Sequence, residues 1–166
     1  LYCFSGDQVD LGELGTLNDS LEFFLGGEVP EGTPFDRQSL AVKGGKTASW
    51  VVSGTPAPLD NELEAVLPSS AVVMFGTNDS GYLPLDTAKM LRWCGEAMFT
   101  LVDTLIGEGI VPILMTIPPR TNKESLGQLA PLINAVVRGL AQGRQTPLVD
   151  YHREMLLLPD FGLSSD

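Results

Sequence analysis

The residues with the strongest chemical character stand in a short turn, Gly76-Thr77-Asn78-Asp79, directly after the apolar run Ala71 to Phe75. An asparagine at a strand exit offers a side-chain NH2 that donates to a developing oxyanion without adding a charge, which suits acyl transfer. The same tetrapeptide also fits a plain turn, since Gly, Asn and Asp are ordinary loop formers and Asn78 or Asp79 can cap backbone amides. Both readings stand on these four residues. The only histidine, His152, follows Asp150 by two residues at the end of another predicted strand, which raises the two as a candidate Asp–His pair. Cys3 and Cys94 have no CxxC or His-rich companion and read as two buried free thiols rather than a zinc site. A disulfide between them would need an oxidising compartment.

Three apolar segments, Ala71 to Phe75, Val111 to Thr116 and Thr146 to Asp150, alternate with longer stretches of helical period. That is the pattern of βαβ units, and it predicts an α/β protein with a parallel sheet. In such a sheet ligands bind outside the carboxyl ends of the strands, which is where Asn78 falls. The first connection, Asp86 to Glu108, carries Leu91, Met98, Leu101, Val102 and Leu105 on one face, with Asp86 as N-cap and Gly107 and Gly109 at its end. The second, Ser125 to Gly143, aligns Leu129, Leu132, Ile133, Val136, Val137 and Leu140, with Pro131 in its first turns and Gly143 as its stop. Upstream, Ser39 to Val42 reads as a strand, followed by Gly44-Gly45 and a helix from near Thr47. Leu59 to Leu67 reads as a short helix with Asp60, Glu62 and Glu64 turned outward, closed by Pro68. Gly26 to Pro34 reads as a loop. Trp50, Trp93 and Phe99, at helical positions, are expected in the core or a pocket wall.

A chain of 166 residues with 43% hydrophobic content fits one domain with one core. The net charge of −11 repels phosphate backbones, and the ten Lys and Arg residues form no basic stripe, which argues against nucleic-acid binding. No apolar run is long enough to span a membrane. A nucleotide site has no GxGxxG or Walker motif to rest on. The first residues do not read as a signal peptide; a secreted or periplasmic setting stays open.

The ordered set of an apolar strand, Gly76-Thr77-Asn78-Asp79, a long helix, GIVPILMTIPPR (Gly109 to Arg120), INAVVRGLA (Ile133 to Ala141) and TPLVDYH (Thr146 to His152) resembles the SGNH, or GDSL-type, hydrolases. The resemblance runs from Phe35 to Asp166. It implies a three-layer α/β/α fold of flavodoxin-like type and hydrolysis of carboxylic esters by a serine nucleophile and a C-terminal Asp-x-x-His pair. The implied oxyanion hole combines the nucleophile's amide, a glycine amide and an asparagine side chain. By that resemblance Asn78 is the oxyanion asparagine. Gly45 in SLAVKGGKTASW is the oxyanion glycine, with Gly44 as the alternative. Asp166 is the triad carboxylate. The resemblance implies no metal or organic cofactor, and its substrates are small-molecule or carbohydrate esters. It also assigns Asp150 and His152 to the segment before the final motif, not to the catalytic pair.

The family's Gly-Asp-Ser tripeptide is missing, and the nearest string is Gly6-Asp7-Gln8. One expectation places the serine upstream of Leu1 and the histidine beyond Asp166, so that this polypeptide is an inert piece of a serine esterase with its oxyanion residues retained. The other places Gln8 at the nucleophile position, which makes a non-catalytic binding module, because an amide is not a nucleophile. Ser5 and Ser20 lack the strand-then-turn setting that exposes a nucleophilic hydroxyl.

Overall fold

The computed structural model describes residues 12–26, 37–82, 86–121 and 127–162. Three strands, β1 (Ser70–Val73), β2 (Val111–Met115) and β3 (Leu148–Val149), form a parallel sheet in the order β1-β2-β3. The helices are α1 (Asn18–Leu25), α2 (Ala48–Val51), α3 (Pro58–Val66), α4 (Asp79–Tyr82), α5 (Thr87–Gly107), α6 (Ala130–Arg144) and α7 (Tyr151–Leu156). Short 3-10 stretches lie at Gly12–Leu17 and Pro159–Gly162. All three predicted strands are present, and α5 and α6 make the two crossovers between them.

The long helices follow from their apolar spacing. Asp86 caps α5 by accepting from Lys89 N at 3.0 Å, as predicted. The helix buries Met90, Cys94, Met98, Leu101, Val102 and Leu105. Helix α6 packs against α5 and β2 and buries Ile133, Val137 and Leu140, with Pro131 in its first turn. Leu132 lies exposed instead, and Asn134 takes a place on the buried face. The helix runs past Gly143 and stops at Gln145, which adopts the left-handed conformation (φ 53°) and donates its N–H to Ala141 O and Gln142 O. Helix α3 starts one residue early, at Pro58, and ends at Leu67 in the left-handed conformation before Pro68. Its Asp60 accepts from Ala57 N at 2.9 Å, closing the first turn.

The core joins α2, α3, α5 and α6 to one face of the sheet through Val73, Leu114 and Ile117. On the alternate face Val72 is 68% exposed and Met74 is also exposed, so among the described residues β1 is covered on one side. Three further expectations are corrected. Ser39 to Val42 is a turn, not a strand, because its backbone donors are taken by the distant Glu62 carboxylate and by Ser39 and not by a neighbouring strand. Leu40 N donates to Glu62 Oε2 (2.7 Å), Ala41 N to Ser39 Oγ (3.2 Å) and Val42 N to Ser39 O (3.3 Å). For the same reason Glu62 turns inward, held by Arg37 as well as by Leu40. Trp93 and Phe99 lie on the surface of α5, each under a cation, Lys89 Nζ at 4.5 Å and the Arg144 guanidinium at 5.3 Å. Trp50 does pack against the core.

Candidate active site

The chain leaves β1 through Gly76, whose φ of 125° belongs to glycine. A Cβ there would lie 2.5 Å from Ile133 Cγ2. This close approach seats the exit of β1 against α6, and the next three residues turn into α4. Ser80 N donates to Gly76 O at 3.0 Å and Gly81 N to Asn78 O at 3.1 Å. The turn leaves Asn78 exposed at the strand exit and buries Asp79 and Ser80 beneath it.

Two consecutive side chains of this turn reach the segment before α2. Asn78 Nδ2 donates to Lys46 O at 2.9 Å. The Asp79 carboxylate accepts the buried Ala48 N–H at 3.2 Å (Oδ1) and 3.1 Å (Oδ2). These bonds bring Gly45 and Asn78 to one place, although 32 residues of chain separate Lys46 from Asn78. Gly45 has φ 75°, with open space where a Cβ would stand, so backbone conformation and not crowding calls for glycine. Gly44 shows no such conformation. An amide NH2 carries two hydrogens, and the bond to Lys46 O uses one. Among the described residues the second hydrogen of the exposed Asn78 has no acceptor.

Burial pushes the Asp79 carboxyl up from its ordinary range, against the pull of the Ala48 amide and neighbouring hydrogen-bond donors. Cys94 lies beside it on α5 as a buried free thiol, pushed up to about 12 by burial and by the Asp79 charge. Such a thiol is not a nucleophile near neutrality. Arg120, at the end of the loop leaving β2, places Nη1 2.7 Å from Thr77 O and 2.7 Å from Ser80 Oγ, and donates to both. Ser80 Oγ in turn donates to Thr77 O at 2.7 Å.

The exits of β2 and β3 form a second polar cluster. Asn134 is fully buried and grips the backbone of Ile117 at two points, accepting from its N–H at 2.8 Å and donating to its carbonyl at 3.0 Å. His152 Nδ1 lies 3.1 Å from the same carbonyl. A carbonyl oxygen only accepts, so Nδ1 carries the hydrogen and donates. Asp150 binds Arg138 through both oxygens (3.1 Å to Nε, 2.9 Å to Nη2) and accepts from Thr116 Oγ1 at 3.1 Å. The arginine bond is the main cause that holds the Asp150 carboxyl below its ordinary range. Asp150 and His152 thus serve different partners, and the carboxylate does not orient the ring. Both residues fasten strand ends, in keeping with the structural role expected of them.

Ser20 is exposed on α1. Gln8, Ser5, Cys3 and Asp166 lie outside the described residues, as does most of the predicted Gly26 to Pro34 loop. Sequence reasoning raised Asp79 as a cap of backbone amides without its partner, Ala48 N, and missed Arg120 as an organiser of the turn and Asn134 as a clamp. For the clamp a signal was available in Asn134 itself, a polar residue in line with Ile133 and Val137 on an otherwise apolar face.

The sequence matches no protein-family profile and no curated relative. Solved structures do match. The chain has the α/β/α fold of the SGNH, or GDSL-type, hydrolases. It is similar to a catalytic mutant of an acetylxylan esterase from Geobacillus stearothermophilus, with 20% identity and a TM-score of 0.55 over 69% of this chain and 55% of that one. It is also similar to a lipase/acylhydrolase from Enterococcus faecalis, with 22% identity and a TM-score of 0.51 over 70% of this chain and 57% of that one. The chain therefore spans just over half the length of these structures. Among the described residues no helix is long and apolar enough to cross a membrane.

Proposed function

We propose that this chain is a single SGNH-hydrolase-like domain and carries the oxyanion side of a serine-dependent carboxylic-ester hydrolase. The Gly45 N–H and the second Asn78 Nδ2 hydrogen are the donors to the tetrahedral oxyanion. The observation that carries this reading is the pair of ties from Asn78 to Lys46 O and from Asp79 to Ala48 N, which hold a positive-φ glycine against an exposed asparagine at a strand exit. Fixed donors of this kind act because they need no reorganisation as charge develops. Asp166 is assigned as the carboxylate that orients the base imidazole. The substrate is an ester of a small molecule or an acetylated carbohydrate, in line with the acetylxylan esterase among the similar structures.

Among the described residues the only imidazole is spent on Ile117 O, and no serine hydroxyl is bonded to it. The 166-residue polypeptide alone is accordingly close to inert. The test is aryl acetate hydrolysis, counted per mole of this polypeptide. Repeated turnovers would overturn the expected inertness, and if Asn78→Ala left them unchanged the oxyanion assignment would fall as well. In a parent polypeptide that carries serine and histidine, Asn78→Ala lowers kcat by about 10²–10³.

A further inference from the structure

We propose that Arg120 is a positioning residue that supplies the positive charge of this site, making the Thr77–Ser80 turn selective for a negatively charged oxygen at Asn78. The inference rests on the oxyanion reading of Asn78 and adds to it a charge that neither Asn78 nor Gly45 brings.

The first support is the partner set of Arg120. The acidic residues outnumber the basic ones 21 to 10. The other arginines of comparable or greater burial, Arg37 and Arg138, are each neutralised by a carboxylate, Glu62 and Asp150. Arg144, on the surface, pairs with Asp103. Arg120 is half-buried, yet its partners are a carbonyl and a hydroxyl, both neutral, and among the described residues it forms no salt bridge. A guanidinium is always charged, and among the described residues this charge has no carboxylate bonded to it, Asp79 of the same turn being turned to Ala48 N.

The second support is where the charge is placed. Arg120 Nη1 bonds the carbonyl of Thr77, whose peptide unit contains the N–H of Asn78. The two bonds from one nitrogen fix the turn, and the three remaining guanidinium N–H groups stay unspent among the described residues. In a part-buried setting such a charge is screened less than one on the open surface.

Acetate, a small carboxylate, is the probe. It is titrated into the full 166-residue chain at low and at high ionic strength, and the Asn78 side-chain NH2 resonances are followed by NMR. In the wild type they shift saturably. Arg120→Gln weakens acetate binding about five-fold at low ionic strength, and the difference shrinks as salt rises. Arg120→Lys, which keeps the charge, binds within about two-fold of wild type. Ser80→Ala, which removes one anchor of the guanidinium but leaves the charge, does likewise. Equal binding by wild type and Arg120→Gln overturns the inference. So does equal weakening in Arg120→Lys or Ser80→Ala, because turn geometry and not charge would then carry the effect. If the Asn78 resonances ignore acetate in the wild type, the oxyanion reading itself has failed, which is a separate outcome from either of these.

Discussion

Removal of the Asp79 carboxylate probes the joint between the β1 exit and α2. In Asp79→Ala the Ala48 N–H, which is fully buried, loses both acceptor oxygens at 3.2 and 3.1 Å, and no other described residue accepts from it. An orphaned buried donor costs about 1–3 kcal/mol, and the space left by the carboxylate adds to that. The expected loss is about 2–4 kcal/mol, a large share of the roughly 5–15 kcal/mol that stabilises a domain. Asp79→Asn keeps one carbonyl acceptor, so its loss is about 1 kcal/mol. Urea unfolding read by fluorescence of Trp50, which stands two residues from Ala48, measures both. The pH dependence separates burial from hydrogen bonding as the controlling influence. Burial raises the folded-state pKa of Asp79, so its favourable contribution is full below the ordinary carboxylate pKa and is lost as pH rises through the folded value. Asp79→Asn does not titrate there, and its stability relative to wild type therefore improves as pH climbs through that window and then levels off. An Asp79→Ala variant within about 0.5 kcal/mol of wild type would refute the clamp. A relative gain by the wild type with rising pH would show that the amide donors outweigh burial.

Other perturbations test the neighbouring joints. Asn134→Leu preserves volume but strands the Ile117 N–H in a dry core and should cost about 2–4 kcal/mol in urea unfolding, with His152 Nδ1 left as the remaining donor to Ile117 O. Gly76→Ala combines a φ of 125° with a collision against Ile133, and should lower the denaturation midpoint by the equivalent of about 2 kcal/mol or more; a variant as stable as wild type would rule out the close approach. Asp150 titrates below the ordinary carboxylate range, so its contribution is present above the ordinary value and lost as pH falls through the folded one. Asp150→Asn should flatten that part of the acid limb in a thermal-melt series, and an unchanged limb would show that Arg138 does not hold the carboxylate in solution.

The strands and the two crossover helices were legible because their signals are local. Apolar runs bounded by turn residues gave β1, β2 and β3, and i, i+3, i+4 spacing gave α5 and α6. Asp86 was legible as a cap for the same reason. The errors came where a side chain distant in sequence decides local structure. Nothing within Ser39 to Val42 shows that Glu62, 22 residues beyond Leu40, takes the amide a strand partner would need. Trp93 and Phe99 have the composition of a core, but the cations that cover them come from a preceding turn and from another helix. Asn78 was readable as a strand-exit asparagine, whereas Gly45 was reached only through the family resemblance. The ties that bring the two together span 31 and 32 residues and have no periodic signature.

Those ties also explain how a site can be rigid when its residues sit in loops. The β1 exit is fixed to the start of α2 by Asn78 and Asp79, and to the β2 exit by Arg120. The β2 exit is fixed to α6 by Asn134 and to the β3 exit through Thr116, which donates to Asp150 and accepts from His152 N. Each bond joins a side chain to another element, and most end on main-chain atoms, so each sets a backbone position. Thr77 shows the consequence most directly. Its carbonyl accepts from Arg120 and from Ser80, and because a peptide unit is planar, fixing that oxygen fixes the plane that also contains the Asn78 N–H. The direction of the Asn78 side chain is thereby constrained from its own backbone on one side and from Lys46 O on the other. A donor held from both sides needs little adjustment as charge develops on a substrate oxygen, which is the property an oxyanion donor requires.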